Sequence, residues 1–454
     1  MSSIQVRPAT LRDAKAIAQI HTASALEAYR GLVPDDQLKA MSSVEKRQAY
    51  WREAIEYCEP QVQVAIDGDK IVAVGTTEQL KQQCSGIDCE IIDATGKTVM
   101  PGFVDSHTHF VFGGYRADEF SWRLKGDSYM SIMERGGGIN ATVSKTREAT
   151  LEELVKSGRN RLVRMLEFGV TTVEGKSGYG LDKETELKQL RAMKELNRTH
   201  AVDVVSTFLG PHSVLPEYKD RERDFIDFLL HEVMPVVKEE NLAEFADIFT
   251  EKNVFSIEDS RHYMTEAKKM GFQLKIHADE MAPLGGAELA AEMGAISAEH
   301  LLQSSDKGIA DMAEAGVICD ILPATAFCLK EPYARARKMI DEGAAVAFGS
   351  DLNPGSCFTN SIPLMIALGC IYMNLSIEEV ITALTINGAA AVDRADRIGS
   401  IEPGKQADII LLGCPSIDFL PYHTAINLVE TVLKNGVRSY HSQLYSFRIG
   451  PGMF

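Results

Sequence analysis

Eight short, apolar, β-rich runs alternate with longer helical patterns, and this repeat limits the possible folds more than any other feature of the sequence. Two helical segments begin with capping boxes, Thr150 with Glu153 and Ser376 with Glu379. Eight βα units of this length predict an α/β fold, a (β/α)8 barrel of the TIM type. The candidate strands are residues 104–110, 170–176, 202–209, 246–251, 273–277, 295–301, 316–322 and 344–350.

Further strand-like segments lie on both sides of this repeat. They are residues 62–74 with an Asp67-Gly68-Asp69 turn, 91–93, 407–412 and 429–436. Neither flank has enough strands to bury a sheet face by itself, so we expect a small composite β-sandwich domain built from both. The predicted division is residues 61–100 and 396–442 for this domain and 101–395 for the barrel.

Charge and cysteine usage limit the partners and the compartment. The formal charge is −17, which argues against nucleic-acid or anionic-membrane binding because phosphate contacts need clustered Lys and Arg. The eight cysteines are scattered without a C-x-x-C pair, as in proteins of a reducing compartment. No signal peptide or membrane-spanning run is evident, so we expect a cytoplasmic protein that acts on a small molecule.

Polar residues collect where the predicted strands end, which is where barrels of this type carry their active sites. Five of the eleven histidines lie at these ends. The residues concerned are His107 and His109 after the first strand, His212 after the third, His277 and Glu280 after the fifth, His300 after the sixth and Asp351 after the eighth.

The pair His107 and His109 is the first indication of a metal site. Residues i and i+2 of a strand share a face, so both imidazoles can reach one ion, although such a pair alone could equally be surface residues. With His277 and Asp351 added, three imidazoles and one carboxylate fit Zn²⁺ or Fe²⁺ and leave a position for water. No lysine ends the fourth strand in a position to bridge two ions, so we expect one metal.

Sequence blocks then point to a known family. The run P-G-F-V-D-S-H-T-H at 101–109 resembles the first-strand signature of the metal-dependent amidohydrolase superfamily. The block G-S-I-E-P-G-K-Q-A-D at 399–408 is similar to the superfamily's return to its β-domain. Over about residues 62–440 the chain resembles the imidazolonepropionase family in Arg116, Gly136–Gly138, K-S-G-Y-G at 176–180, T-F-L-G-P-H at 207–212, K-I-H-A-D-E at 275–280, S-A-E-H-L at 297–301 and S-D-L-N-P-G-S at 350–356.

This resemblance implies hydrolysis of the ring amide of 4-imidazolone-5-propanoate to N-formimidoyl-L-glutamate, a step of histidine degradation. It implies that His107, His109, His277 and Asp351 hold the metal, with Asp351 also essential for catalysis. Glu280 would contact the ring and move a proton to the departing nitrogen. His300 would orient or activate water or stabilise the oxyanion, and a role as a further metal ligand stays open.

Substrate contacts follow from the same resemblance. Arg116 would bind the propanoate carboxylate through its guanidinium. Tyr179 and His212 would offer hydrogen bonds, and the loop residues Asn353, Gly355 and Ser356 would line the same mouth. The glycines 136–138 form either a mobile lid or a plain turn. The family also implies a homodimer.

The first 58 residues differ from this family and resemble the opening strand and two helices of a GNAT-type N-acetyltransferase. They lack the loop that holds the pyrophosphate of acetyl-CoA, so we expect this segment to be non-catalytic. Residues 443–454 form a tail without assignment. The alternatives are another amidohydrolase, such as a deaminase or an N-acyl amino acid hydrolase, a CoA-related acetyltransferase or sensing module, or a barrel that binds no metal.

Overall fold

The computed structural model describes residues 13–28, 43–49, 52, 63–127, 131–132 and 135–442. In the N-terminal segment, residues 14–28 and 44–49 are helical. The opening strand expected for that segment and the tail 443–454 lie outside the described residues.

Fifteen strands are formed by the described part of the chain. They are β1 Gln63–Asp67, β2 Lys70–Gly75, β3 Thr98–Pro101, β4 Phe103–Asp105, β5 Val170–Lys176, β6 Asp203–Phe208, β7 Phe245–Ala246, β8 Phe249–Thr250, β9 Gln273–Ala278, β10 Ser297–His300, β11 Ile318–Ile321, β12 Val346–Phe348, β13 Ile409–Leu412, β14 Val429–Lys434 and β15 Val437–His441.

Helices fill most of the intervals between the strands, and none in the described ranges has both the length and the apolar character to span a bilayer. They are α1 Ala14–Ala28, α2 Thr77–Gln83, α3 Ala117–Leu124, α4 Ile139–Glu148, α5 Leu151–Glu167, α6 Lys183–Thr199, α7 Glu222–Phe228, α8 Met234–Glu239, α9 Ile257–Lys269, α10 Gly286–Met293, α11 Asp306–Ala315, α12 Pro323–Leu329, α13 Ala336–Asp341, α14 Ile362–Tyr372, α15 Ile377–Leu384, α16 Ile386–Ala391 and α17 Phe419–Tyr422.

The predicted barrel is confirmed. Parallel strands pair in the order β4-β5-β6-β7-β9-β10-β11-β12, and β8 also pairs with β9, so the predicted fourth strand is split into β7 and β8. The ring closes just beyond the named strands, where the His109 N–H donates to Leu352 O (2.9 Å) and the Asp351 N–H donates to His107 O (2.9 Å). Closure therefore brings the first and last strand ends together at the expected active-site face.

Local sequence determines where the helices start. Thr150 and Ser376 form the two predicted capping boxes, in which each hydroxyl accepts from the N–H of Glu153 or Glu379. Apolar side chains such as Leu162 and Met165 of α5 are completely buried against the outside of the barrel. The helices thus cover the outer face of the barrel sheet.

The sheet expected from both flanks is also present. Strands β15-β14-β13-β3 form an antiparallel sheet, and the β1–β2 hairpin packs against it. Ile71, Ile409, Leu411 and Leu433 form the shared apolar core. The prediction of a strand at residues 91–93 was wrong: Ile91 is 85% exposed, and the Thr95 N–H donates to Asp93 Oδ1 (3.0 Å) in a turn.

Candidate active site

Four buried histidines meet at the carboxyl ends of the barrel strands. The ring centroids of His107 and His277 are 4.8 Å apart, those of His107 and His109 are 5.3 Å apart, and those of His277 and His300 are 5.1 Å apart. These side chains come from strand positions far apart in the sequence, and the closed ring brings them together. The predicted strand-end residues therefore form one cluster.

Asp351 completes this cluster on the side of the last strand. Its Oδ1 lies 3.6 Å from Nε2 of both His107 and His109, while its Oδ2 accepts a hydrogen bond from Thr325 Oγ1 (2.7 Å). Thr325 therefore fixes one oxygen and leaves the other directed at the imidazoles. Burial raises the pKa of Asp351 to about 6.

The backbone is strained at several of these positions. Asp279, His300, Leu301 and Asp351 have φ values of 49°, 68°, 61° and 49°. Residues with a side chain rarely adopt this left-handed backbone conformation, and those that do often belong to functional sites. Two of the four, His300 and Asp351, are predicted catalytic residues.

The donor set fits a divalent transition-metal ion. Ligand atoms of His107, His109 and Asp351 lie within 4.8 Å of one another, as do those of His107, His277 and His300. Nε2 of His107 and of His277 is buried without a hydrogen-bond partner among the described residues. Such nitrogens need a ligand to offset their burial, and imidazole with carboxylate suits Zn²⁺ or Fe²⁺.

Protonation also favours metal binding. Burial lowers the pKa of His277 to about 3 and holds the pKa values of His107 and His109 well below their usual range. All three imidazoles are therefore neutral at pH 7, which is the form that coordinates a metal.

Glu280 is partly buried at the edge of the cluster, with Oε1 3.6 Å from His300 Nδ1. Burial raises the pKa of Glu280 to about 7, and the nearby Glu251 contributes in the same direction. A carboxyl group with this pKa exchanges its proton near neutrality, as a general acid or base must. The neighbouring carboxylates of Glu251 and Glu331 raise the pKa of Glu280 in the same way, which favours proton exchange over the rim salt bridge considered for it.

A layer of buried charges beneath the histidines was not predicted. Lys176 Nζ lies 2.8 Å from Glu174 Oε1 and 2.8 Å from Asp247 Oδ2, and all three side chains are completely buried. Asp247 Oδ2 lies in turn 3.0 Å from His277 Nδ1. The sequence did contain an indication of this layer, because Glu174 and Lys176 are two residues apart on one predicted strand and so share a face.

Arg116, the predicted carboxylate anchor, lies at the N-terminus of α3. Its Nε and Nη2 donate to Glu119 Oε2 at 2.9 and 2.8 Å. Its Nη1 reaches the loop after the last strand, because a Cβ added at Gly355 would lie only 2.3 Å from it. The anchor is therefore next to the predicted substrate-binding loop, and Glu119 is a partner that the sequence reading missed.

Tyr179 and His212 lie next to the histidine cluster. The His212 ring stacks on His109 with centroids 4.9 Å apart, and the Tyr179 ring centroid is 5.6 Å from that of His109. His212 Nδ1 is 3.1 Å from the Gly178 carbonyl, which can only accept, so Nδ1 carries the proton and Nε2 is left as an acceptor. Burial lowers the pKa of His212 to about 4.

The loop that carries Tyr179 is held by two buried residues of α6. Glu186 accepts from the N–H groups of Gly178, Gly180 and Leu181, and Gln189 accepts from the Tyr179 N–H. Burial raises the pKa of the Tyr179 hydroxyl above its usual value, so it remains a hydrogen-bond donor. The sequence reading identified the loop but not the residues that hold it.

Asn353, Gly355 and Ser356 form a tight turn after Asp351. Asn353 Oδ1 accepts from the N–H groups of Gly355 and Ser356, both at 2.8 Å. Its Nδ2 donates to Asp351 O (2.8 Å) and to Ser356 Oγ (2.7 Å). The Asn353 side chain thus shapes this loop around the candidate ligand Asp351.

The glycines 136–138 lead into α4. Gly136 and Gly138 have φ values of 82° and 76°, which favour glycine, and Gly138 is the N-cap of α4. The Gly138 N–H donates to Glu119 Oε2 (3.1 Å). These positions form a turn, and motion as a lid stays a prediction.

Comparisons with known proteins agree with this arrangement. Residues 98–438 match the model of the "Amidohydrolase family". The chain is 58% identical over 373 residues to imidazolonepropionase of Clostridium tetani, covering 82% of this chain and 89% of that one. It is 60% identical over 347 residues to imidazolonepropionase of Bacteroides thetaiotaomicron, covering 76% and 83%.

Solved structures share the fold at low sequence identity. A mutant of atrazine chlorohydrolase from Arthrobacter aurescens, in complex with zinc and atraton, has a TM-score of 0.63 at 18% identity, covering 83% of this chain and 89% of that chain. The 5-methylcytosine deaminase of Klebsiella pneumoniae has a TM-score of 0.64 at 15% identity, covering 84% and 95%.

Proposed function

Because the chain belongs to the amidohydrolase family, and within it to the imidazolonepropionases, we propose that it hydrolyses 4-imidazolone-5-propanoate to N-formimidoyl-L-glutamate in histidine degradation. Water adds to the ring carbonyl carbon, the ring C–N bond breaks and the nitrogen takes up a proton. The observation that carries this proposal is the buried cluster of His107, His109, His277 and Asp351, in a chain that is 58% identical to a curated imidazolonepropionase.

His107, His109, His277 and Asp351 would hold one divalent ion, Zn²⁺ or Fe²⁺. When bound, such an ion polarises the amide carbonyl and activates water. His300 is the competing ligand, because its ring nitrogen lies within the same range of His107 and His277. We assign it instead to orienting water or stabilising the oxyanion, since its neighbour Glu280 lies 3.6 Å away and can exchange a proton with it.

Glu280 is proposed to move the proton from the attacking water to the departing ring nitrogen. Its pKa of about 7 suits both steps, because the group must accept a proton and then release it. Its position three residues after His277 puts it at the edge of the cluster, where the ring would bind.

The propanoate tail requires a cation, and Arg116 supplies it beside Gly355 and Ser356. Tyr179 would donate a hydrogen bond to the substrate, and His212 Nε2 would accept one from a ring N–H. This combination of an anionic tail site and a ring site distinguishes the proposed substrate from those of deaminases and N-acyl amino acid hydrolases.

The direct test follows the loss of imidazolone absorbance with purified enzyme before and after chelation. We expect activity to disappear with the chelator and to return with Zn²⁺ or Fe²⁺. Asp351→Ala should abolish turnover, whereas Arg116→Ala should mainly raise KM. Release of ammonia from an aminated ring, or turnover that a chelator does not affect, would contradict the proposal.

We also propose the remaining organisation of the protein. Residues 101–395 are assigned to the barrel and residues 61–100 with 396–442 to the composite β-domain, and residues 1–58 are assigned no catalytic role. The cytoplasm is proposed because the seven cysteines in the described ranges are free thiols. A homodimer rests on family resemblance, and light scattering of the purified protein tests it.

A further inference from the structure

Glu119 is the residue that the proposed mechanism leaves unused at the anchor for the substrate carboxylate. A single oxygen, Oε2, accepts from Arg116 Nε (2.9 Å), Arg116 Nη2 (2.8 Å) and the Gly138 N–H (3.1 Å). The side chains of Arg116 and Glu119 are 14% and 12% exposed, so this is not a solvated surface pair. Charge-assisted bonds in such a setting hold a guanidinium in one orientation.

These hydrogen bonds fix which edge of the Arg116 guanidinium remains available to a ligand. Glu119 occupies the edge of the guanidinium formed by Nε and Nη2, which directs Nη1 to the other side. There Nη1 lies against Gly355, where an added Cβ would be only 2.3 Å away. Cζ would be nearer to that Cβ (2.9 Å) than Nη2 (3.3 Å), so Gly355 packs against the guanidinium beside Nη1. The edge formed by Nη1 and Nη2, which can bind a carboxylate with two parallel hydrogen bonds, therefore lies next to the loop that follows Asp351.

We propose that Glu119 is a positioning residue for substrate binding: it presets Arg116 so that this edge meets the propanoate, and it ties the anchor to the turn at Gly138. This inference rests on the proposed function, because it acts through Arg116. A preset side chain loses less conformational entropy when the ligand binds, so Glu119 should lower KM and leave the chemical step unchanged.

The test compares wild type with Glu119→Ala, Arg116→Ala and the double variant, by steady-state kinetics and by equilibrium binding of 3-(imidazol-4-yl)propanoate. Glu119→Ala should raise both KM and the Kd of the probe on the order of 10-fold, which corresponds to the loss of about one charge-assisted contact. Its kcat should stay within about threefold of the wild-type value. The double variant should bind within about threefold of Arg116→Ala, because Glu119 acts on substrate binding through Arg116.

Controls separate positioning from general damage. The probe 4-ethylimidazole lacks the carboxylate and should bind all variants alike. Glu148→Ala removes a carboxylate from α4 that pairs with Lys145 at the surface, and it should leave KM unchanged. Gly355→Ala should raise KM as Glu119→Ala does, because the added methyl group displaces Nη1. Glu119→Gln keeps an acceptor oxygen and should fall between wild type and Glu119→Ala.

Additive losses in the double variant, a loss of kcat in Glu119→Ala, or equal weakening of 4-ethylimidazole would overturn the positioning role. If Arg116→Ala itself leaves the binding of 3-(imidazol-4-yl)propanoate unchanged, the anchor assigned under the proposed function fails as well. If Arg116→Ala weakens the probe and Glu119→Ala does not, the proposed function stands and this inference alone is wrong.

Discussion

Two buried lysines with carboxylate partners lie near opposite ends of the barrel, Lys176 on a barrel strand and Lys434 on the four-stranded sheet. Lys176 ends β5 and lies 2.8 Å from both Glu174 and Asp247. Lys434 ends β14 and lies 2.7 Å from Asp203 and 2.6 Å from Asp408. Asp203 is the first residue of β6, so the second cluster joins the four-stranded sheet to the amino-terminal end of the barrel.

The difference lies in what the carboxylates contact next. Asp247 Oδ2 is 3.0 Å from His277 Nδ1, so the Lys176 cluster supports a candidate metal ligand. Asp408 instead accepts from the Asn435 N–H (3.0 Å), so the Lys434 cluster holds a turn of the sheet. Burial alone therefore does not assign a role to an ion pair, and function belongs to the carboxyl ends of the strands.

Lys176→Met should have the largest effect. It leaves the buried Asp247 without its lysine, while Glu174 and Glu299 keep the more distant Lys275 Nζ at 3.9 and 3.4 Å, and we expect a loss of about 3–5 kcal/mol in the free energy of unfolding. Turnover should fall more than about 100-fold, because Asp247 no longer holds the His277 ring in the orientation needed to bind the metal. Denaturant unfolding and imidazolone turnover measure the two effects. Near-normal turnover would show that the Lys176 cluster, like the Lys434 cluster, serves stability alone.

Asp247→Asn tests the same contact more gently. The amide preserves shape but not charge, so we expect metal affinity to fall by about 10–100-fold with most of the stability retained. Competition with a coloured chelator gives the metal Kd. An unchanged Kd would mean that Asp247 is structural, like Asp408.

Lys434→Met is the matched control for the first variant. It leaves Asp408 buried, but the Asp203 side chain is 42% exposed and can reach water. We expect a loss of about 1–3 kcal/mol in the free energy of unfolding and unchanged kcat and KM below the unfolding temperature. A fall in kcat would show that the sheet influences the active site.

Ile71→Val should have the smallest effect. Ile71 lies in the apolar core shared by the hairpin and the four-stranded sheet and is 1% exposed. Removing one methylene group should cost about 0.5–1.5 kcal/mol of unfolding free energy without a change in activity or metal content. Thermal unfolding followed by circular dichroism measures it, and a loss of bound metal would contradict the separation of the two regions.

The barrel and its rim of candidate active-site residues were predictable because buried strands and amphipathic helices leave periodic patterns. His107, His109, His277 and Asp351 follow apolar runs, which locates them at strand ends without knowledge of contacts. The split of the fourth strand was not predictable, since residues 246–251 read as one continuous run. The exposed segment 91–93 was misread for a related reason, because apolar residues alone do not supply a pairing partner.

The supporting charges were harder to predict. The contact between Asp247 and His277 joins the link between β7 and β8 to the neighbouring strand β9, and only the register of the sheet brings the two residues together. The pair of Arg116 and Glu119 is different, because a spacing of three residues at a helix start is readable in the sequence. The proposed role of this pair depends on its contacts with Gly138 and Gly355, and only the folded structure brings these two glycines next to the pair.

The proposed activity depends on one ion held by His107, His109, His277 and Asp351. Anomalous diffraction from crystals of the Zn²⁺- or Fe²⁺-loaded enzyme tests this most directly. We expect one peak per chain, at roughly 2.0–2.2 Å from a nitrogen of each histidine and an oxygen of Asp351. Ligand atoms of His107, Glu299 and Asp320 also lie within 4.8 Å of one another. A second peak at Glu299 and Asp320, or fully active crystals with no peak at the histidines, would contradict this assignment.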